Sequence, residues 1–362
     1  MKSSIDLILK KIHALQQHQD DQYYCKGMFP SQRYNPFWKY KRADENSYFS
    51  AIISFTLQEI KYYLSISDQL IVDNICKNIH TNFDRYRSPS TPHAYNFYQT
   101  HPKKHYPNGY FFSRFNHFAL ADDADSSVMI NLAKGIDRTA AVTLHDTIAS
   151  FANGNRKWSQ KLPDPYQKLS VYGIWLGTGV MPIEVDFCVV CNILLFVFHH
   201  LLELKKEDLD SLKYILVSLE TKDFHQKPFK VGPIYPSPFV MLYHAARLYE
   251  ILPEEWKKKM FDPISKAIES VENKHQSLID QILLETSKHK IGQSAKAIQW
   301  DLLQLEKESR RFSFFIAPML SGTNYPLFNK LMPFKLFQIF SSCEAYYLCL
   351  VLEHLLLSNK NS

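Results

Sequence analysis

Five stretches of this chain are too apolar to have a wet side, and that limits the architectures open to it. Residues 46–64, 126–136, 185–202, 237–252 and 340–357 are helical in pattern and apolar around most of their circumference. A helix of that kind must be covered on several sides. Between them lie stretches of a different kind, 68–86, 209–220, 263–287 and 295–309, in which apolar residues share one face and charges fill the other. Helices with one dry stripe cover a core and face water. Alternation of the two kinds predicts concentric layers, an inner set covered by an outer set. The expected fold is therefore all-α, an α/α toroid occupying residues 1–362 as one domain. The alternative is a globin-like or irregular bundle. An accessory helix is expected within residues 1–20, where Ile5, Ile8, Ile12 and Leu15 fall on one face. No period-2 strand series stands out. The Pro-rich, aromatic segments 27–43, 87–120, 152–182, 221–236 and 310–335 are read as long loops, which tend to be functional in compact domains.

Composition narrows the function. Glycine is scarce, 10 of 362 residues, and neither GxGxxG nor GxxxxGK[ST] occurs. Both phosphate-cradling loops need such glycines. The net charge of +6 is mild and its cations are spread along the chain, so no nucleic-acid partner is expected. The six cysteines lie mostly inside apolar runs, where cysteine acts as a small hydrophobe. The opening "MKSSIDLILKKIHALQQH" lacks a continuous apolar core, and no apolar run reaches the length of a membrane span. A reduced, cytoplasmic, soluble protein is expected.

Each apolar helix is preceded by polar residues. They are "RADENS" (42–47, with Asp44), "ALADDADSS" (119–127, with Asp122, Asp123 and Asp125), "VDFC" (185–188), "YPSP" (235–238, beginning at Tyr235) and "SSCE" (341–344). Asp, Asn and Ser suit helix starts because their oxygens accept the unpaired N–H groups there. Three acids in four residues exceed what a cap requires. If the inner helices start at one end, their mouths converge on one cavity. Crowding and an apolar wall would then raise a carboxyl pKa, which makes Asp122, Asp123 and Asp125 together a candidate acid group. The aromatic run 110–118 would supply a wall able to shelter a cation, while Arg114 or His117 within it would pair with the acids. Asp44, Arg42, Arg114, His117, Trp175 and Tyr235 are the candidate substrate-binding residues. Cys188 and Cys191 share a helix face, with Asp186 at the cap before them. That makes zinc the one cofactor to consider; otherwise none is expected.

"DADSSVM" (123–129) resembles the DxDD motif of terpenoid cyclases such as the squalene–hopene cyclases, which lies at the mouth of an inner helix of an α/α toroid. The resemblance implies that Asp125 is the general acid that protonates an alkene or epoxide and that Asp123 is the first acid. Ser126 stands at the last acid position, and Asp122 is an additional acid. "VDFC" is similar to the Asp-x-Cys pair that holds zinc in protein prenyltransferase β subunits, which are single toroids with an α partner. That likeness implies Asp186, Cys188 and His244 as metal ligands and a protein partner. Together these point to an enzyme acting on a small hydrophobic, isoprenoid-type substrate. The alternatives are a zinc-assisted transferase, a toroidal carbohydrate-active enzyme using Asp125 and Asp186, and a helical scaffold that binds a lipid or a protein.

Overall fold

The computed structural model describes residues 2–102, 122–159, 162, 164–177, 183–274, 276–309, 312–318 and 330–360. Twelve longer helices run through them: α1 (Lys2–Leu15), α2 (Ser47–Ile60), α3 (Ile66–His80), α4 (Ala124–Lys134), α5 (Arg138–Ser150), α6 (Phe187–His199), α7 (Lys206–Glu220), α8 (Pro238–Ile251), α9 (Glu254–Glu272), α10 (Leu278–Lys290), α11 (Leu302–Ser309) and α12 (Glu344–Lys360). Two single-turn helices, Asp223–Gln226 and Pro228–Val231, precede α8.

The even-numbered helices hold the core. α2 packs on α4, α4 on α6, α6 on α8, α8 on α10, α10 on α12, and α12 returns to α2. Every residue of α6 from Phe187 to Phe198 is buried, and α2, α4 and α8 are nearly as dry. The odd-numbered helices bury a stripe only. In α9, Met260, Ile264, Ala267, Ile268 and Val271 turn inward while lysines and glutamates cover the rest. This follows from the sequence pattern, since a helix without a polar face has no face to give to water.

Local chemistry sets the starts. Asn46, Asp123, Asp186, Ser237 and Ser277 cap α2, α4, α6, α8 and α10, each side chain accepting backbone N–H groups of the first turn. Each such cap is worth about 0.5–2 kcal/mol.

The protein is mostly helical, but two antiparallel sheets correct the all-α expectation. One has the order β2 (Tyr40–Ala43), β1 (Gln32–Asn35), β7 (Gln338–Ser342), β6 (Phe315–Pro318). The other has the order β3 (Tyr95–Asn96), β4 (Asp122–Asp123), β5 (Trp175–Leu176). The strands are two to five residues long. That is too short for period-2 alternation to register. Gln32 pairs with Ser342 from the opposite end of the chain, a contact no local pattern announces. Two helix assignments also change. Helix α5 falls where no helix was expected, and the charged run 263–287 is two helices. Its second part, α10, belongs to the buried set although Glu285, Thr286, Ser287 and Lys288 lie on it. Their polar groups are paired: Lys288 with Glu285 at 2.8 Å and Glu272 at 2.7 Å, Thr286 with His354 at 3.3 Å, and Ser287 with the Leu283 carbonyl at 2.6 Å.

Among the described residues no helix is long and apolar enough to cross a membrane.

Candidate active site

One cavity of about 210 Å³ is lined from several helix starts at once: Tyr48 of α2, Asp123 and Asp125 at α4, Glu184 and Val189 at α6, and Tyr235 just before α8. The four-stranded sheet closes it with Arg33, Phe315, Ile316, Ala317 and Ser341, and the three-stranded sheet and its flanks with Phe97, Tyr98 and Trp175. The mouths of α2, α4, α6 and α8 thus share one chamber whose wall is mainly aromatic.

The three acids of 122–125 separate into three roles. Successive residues of a strand point to opposite faces, so Asp122 and Asp123 diverge on β4. Asp122 accepts hydrogen bonds from Ser88 Oγ at 2.6 Å and Thr91 Oγ1 at 2.8 Å and is absent from the cavity wall. It anchors a loop, and its expected part in the acid group is corrected accordingly. Asp123 is the cap of α4, accepting from the N–H groups of Asp125 (3.2 Å) and Ser126 (3.0 Å) and from the Ser126 hydroxyl. Asp125 caps nothing. Its carboxylate reaches across the chamber, where Asn192 Nδ2 donates to Oδ1 at 2.7 Å and the Tyr235 hydroxyl donates to Oδ2 at 2.7 Å.

A directional constraint follows. Arg247 is buried and can only donate; its Nη2 bonds Asn192 Oδ1. This fixes the amide of Asn192 with its NH₂ toward Asp125, so Asp125 Oδ1 can only accept. A proton on Asp125 therefore resides on Oδ2, beside the Tyr235 hydroxyl. Asn192 Nδ2 also donates to the Tyr48 hydroxyl at 3.4 Å, and the Tyr48 and Tyr235 rings lie 6.1 Å apart. The Arg247 guanidinium carbon lies over the rings of both Phe55 and Tyr243, 5.6 Å from each centroid, and its Nη1 has no hydrogen-bond partner among the described residues.

Burial pushes the pKa of Asp125 up. The hydrogen bonds from Asn192 and Tyr235 pull it back, and the charge of Asp186 adds to the rise. Asp123 is raised by burial and next by the charge of Asp125. The two titrate as a pair. Asp123 has three donors directed at its carboxylate at the helix start, where the dipole favours an anion. Both carboxyls are nonetheless raised, and a proton held there is a property of the pair.

The remaining expected residues fall as follows. Trp175 lines the cavity and donates from Nε1 to Glu184 Oε2 at 3.1 Å. Tyr235 lines it too. Asp44 is buried behind the wall, where Tyr98 OH donates to Oδ1 at 3.0 Å and Asn46 Nδ2 to Oδ2 at 2.9 Å. Burial raises its pKa, and Arg33 opposes the rise. Arg42 is exposed, its guanidinium 5.9 Å over the Tyr40 ring. It lies on β2, the edge strand, one strand farther from the chamber than β1, so the cation at the cavity is Arg33, bonded to Tyr98 OH at 2.8 Å. Arg114 and His117 lie outside the described residues.

The expected zinc ligands are not brought together. Among the described residues no three His, Cys, Asp or Glu side chains are grouped so as to hold a metal ion. Asp186 Oδ1 accepts from the N–H groups of Cys188 (2.8 Å) and Val189 (3.4 Å), and Oδ2 from those of Ile234 (2.8 Å) and Tyr235 (3.1 Å). It fastens the start of α6 to the segment leading into α8. The segment into α8 passes close to its surroundings at Gly232, where a Cβ would stand 2.3 Å from Met241 Cε and 3.1 Å from the Tyr235 carbonyl oxygen. Burial, then the neighbouring Asp186 charge, raises the Cys188 thiol well above its usual range, so it is an inert core thiol. His244 gives Nδ1–H to the Val240 carbonyl at 2.8 Å and packs its ring on Tyr235 and Phe314.

Asn192 and Arg247 were missed from sequence. Asn192 carried a signal, being a lone polar residue inside the apolar helical run "VVCNILLF". Arg33 belongs to the basic, aromatic loop 31–42, whose cations the sequence marks as suited to an anionic ligand. No family model, curated protein or solved structure matches this chain.

Proposed function

We propose that this chain is an α/α toroid enzyme that protonates a hydrophobic, isoprenoid-type olefin, with Asp125 as the general acid. The observation that carries this is the position of Asp125: a buried carboxyl with a raised pKa, its proton directed to one oxygen, facing an aromatic-walled chamber. The returning circuit of even-numbered helices, clad by odd-numbered ones, supports the toroid. Transfer of the Oδ2 proton to an alkene carbon breaks O–H, forms C–H and leaves a tertiary cation. The rings of Tyr48, Phe97, Trp175, Tyr235 and Phe315 stabilise such a cation by cation–π attraction. Internal alkenes then attack it, and loss of a proton to a base ends the sequence, so the net change is isomerisation. A cavity of about 210 Å³ is smaller than the roughly 300–1,000 Å³ usual for ligand sites and admits the reacting end of a chain.

The carbohydrate alternative loses its second carboxylate, because Asp186 has both oxygens occupied by backbone N–H groups. Incubating the protein with squalene and with geranylgeranyl diphosphate in D₂O tests the proposal. The expected product is an isomer of its substrate carrying one solvent-derived deuterium on carbon, lost in Asp125→Asn. A product formed by diphosphate release without deuterium, or one undiminished in Asp125→Asn, would refute it.

A further inference from the structure

At the outer end of the four-stranded sheet the chain holds large aromatic side chains in water. Phe37 is 60% exposed, Trp38 58% and Phe334 60%, and Leu336 stands beside them. They come from two places, the turn joining β1 to β2 and the segment entering β7. Their exposure is built in rather than a product of slackness. The buried Asn35 accepts from the N–H groups of Phe37 (2.8 Å) and Trp38 (3.2 Å) and directs its amide nitrogen at the carbonyls of Gln338 (2.6 Å) and Lys335 (3.1 Å). Trp38 Nε1 donates to the Leu336 carbonyl at 2.8 Å. The two segments are thus locked into one apolar tip.

Cations flank the tip along the chain. Lys39, Lys41, Arg42, Lys330 and Lys335 are all exposed, and none has an ion-pair partner among the described residues. No Asp or Glu occurs in 27–43 or in 330–342. Exposed Trp and Phe interleaved with unpaired Lys and Arg match the interfacial layer of an anionic bilayer. There rings sit at headgroup depth and basic heads meet lipid phosphates. A protein interface fits less well, because lysine is depleted from such surfaces.

We infer that the Phe37–Trp38 turn and the 334–336 segment form a docking surface for an anionic phospholipid membrane, which the protein meets from one side without crossing. This stands on the surface alone and is independent of the chemistry proposed for the cavity. The two are nonetheless adjacent in the fold, since Arg33 and Ser341 of the same sheet line the chamber.

The test is co-sedimentation of the full chain with sucrose-loaded vesicles made of equal parts phosphatidylcholine and phosphatidylglycerol, beside vesicles of phosphatidylcholine alone. Binding is expected to the mixed vesicles, weakened at least about tenfold when phosphatidylglycerol is omitted or salt is raised well above physiological levels. The double variant Phe37→Ser/Trp38→Ser should weaken it about tenfold or more. Lys39→Glu/Lys41→Glu should do the same, because each cation near an anionic leaflet is worth about fivefold. All four substituted side chains are exposed, and an unchanged melting temperature checks that the variants fold. No binding to mixed vesicles at low salt would overturn the inference, as would variants that bind like the wild type. A dimer in solution that these variants dissociate, without vesicle binding, would assign the surface to a second copy and overturn it too.

Discussion

The mouths of α4 and α6 begin alike and do different things. Each opens with an aspartate whose side chain caps the helix, Asp123 and Asp186, and each places a polar residue two positions later, Asp125 and Cys188. At α6 the cap is the whole story. Asp186 gathers four backbone N–H groups from two segments, and Cys188 sinks into the core. At α4 the cap leaves a second carboxylate unemployed by the backbone. Asp125 is held instead by side chains, Asn192 and Tyr235, against an open chamber. A carboxylate fastened by backbone N–H groups is structural; one fastened by side chains beside a cavity is available to a ligand. The comparison separates the candidate acid from a look-alike that the sequence pattern cannot distinguish.

Substitutions sharpen the contrast. Asp186→Ala should have the largest effect, because it strands four backbone donors in a buried place. A loss on the order of 3–5 kcal/mol is expected in denaturant unfolding. A loss below about a kilocalorie would show that α6 and the α8 entrance do not depend on it. Asn192→Leu comes next. It removes the bridge between Arg247 and Asp125 and leaves both without that partner, for about 2–3 kcal/mol. It should also disturb the titration of Asp125, whereas Cys191→Ala on the same helix should not. Asp123→Ala should cost about 1–2 kcal/mol as a lost cap, and Asp123→Ser should recover most of it.

How far this contrast was legible in the sequence depends on the range of the interactions. The caps were legible because capping is local: Asp, Asn and Ser immediately before apolar periodicity mark Asn46, Asp123 and Asp186 as helix starts. The buried helices were legible because "FCVVCNILLFVF" has no polar face to expose. The strands were not, because β1 and β7 are paired across almost the whole chain and their residues alternate too briefly to show. Helix α10 was misplaced because its polar residues are paired internally, which composition cannot reveal. Within the site, Asp125 was legible as an acid in excess of the capping requirement. Asn192, and Arg247 behind it, were not, since they reach the site from other helices, and Tyr235 was legible only as a wall residue, not as the donor to Asp125.

Asp125→Asn should have the smallest effect on stability and the most informative one. An asparagine there keeps an oxygen facing Asn192 and puts an NH₂ beside the Tyr235 hydroxyl, reproducing the carboxyl with its proton on Oδ2. The variant is therefore the protonated state made permanent. Its melting temperature followed from pH 7 to pH 5, beside the wild type, tests the central claim most directly. A carboxyl whose folded-state pKa is raised binds protons more tightly folded than unfolded, so its contribution to stability rises as pH falls through the folded value and is complete near the unfolded one. The wild type should thus begin below the variant at pH 7 and narrow the gap toward pH 5 as Asp125 takes its proton. A variant less stable than the wild type at pH 7 by a kilocalorie or more, on the roughly 0.5–2 kcal/mol scale of a lost cap, with a parallel pH profile, would contradict it and make Asp125 a structural carboxylate.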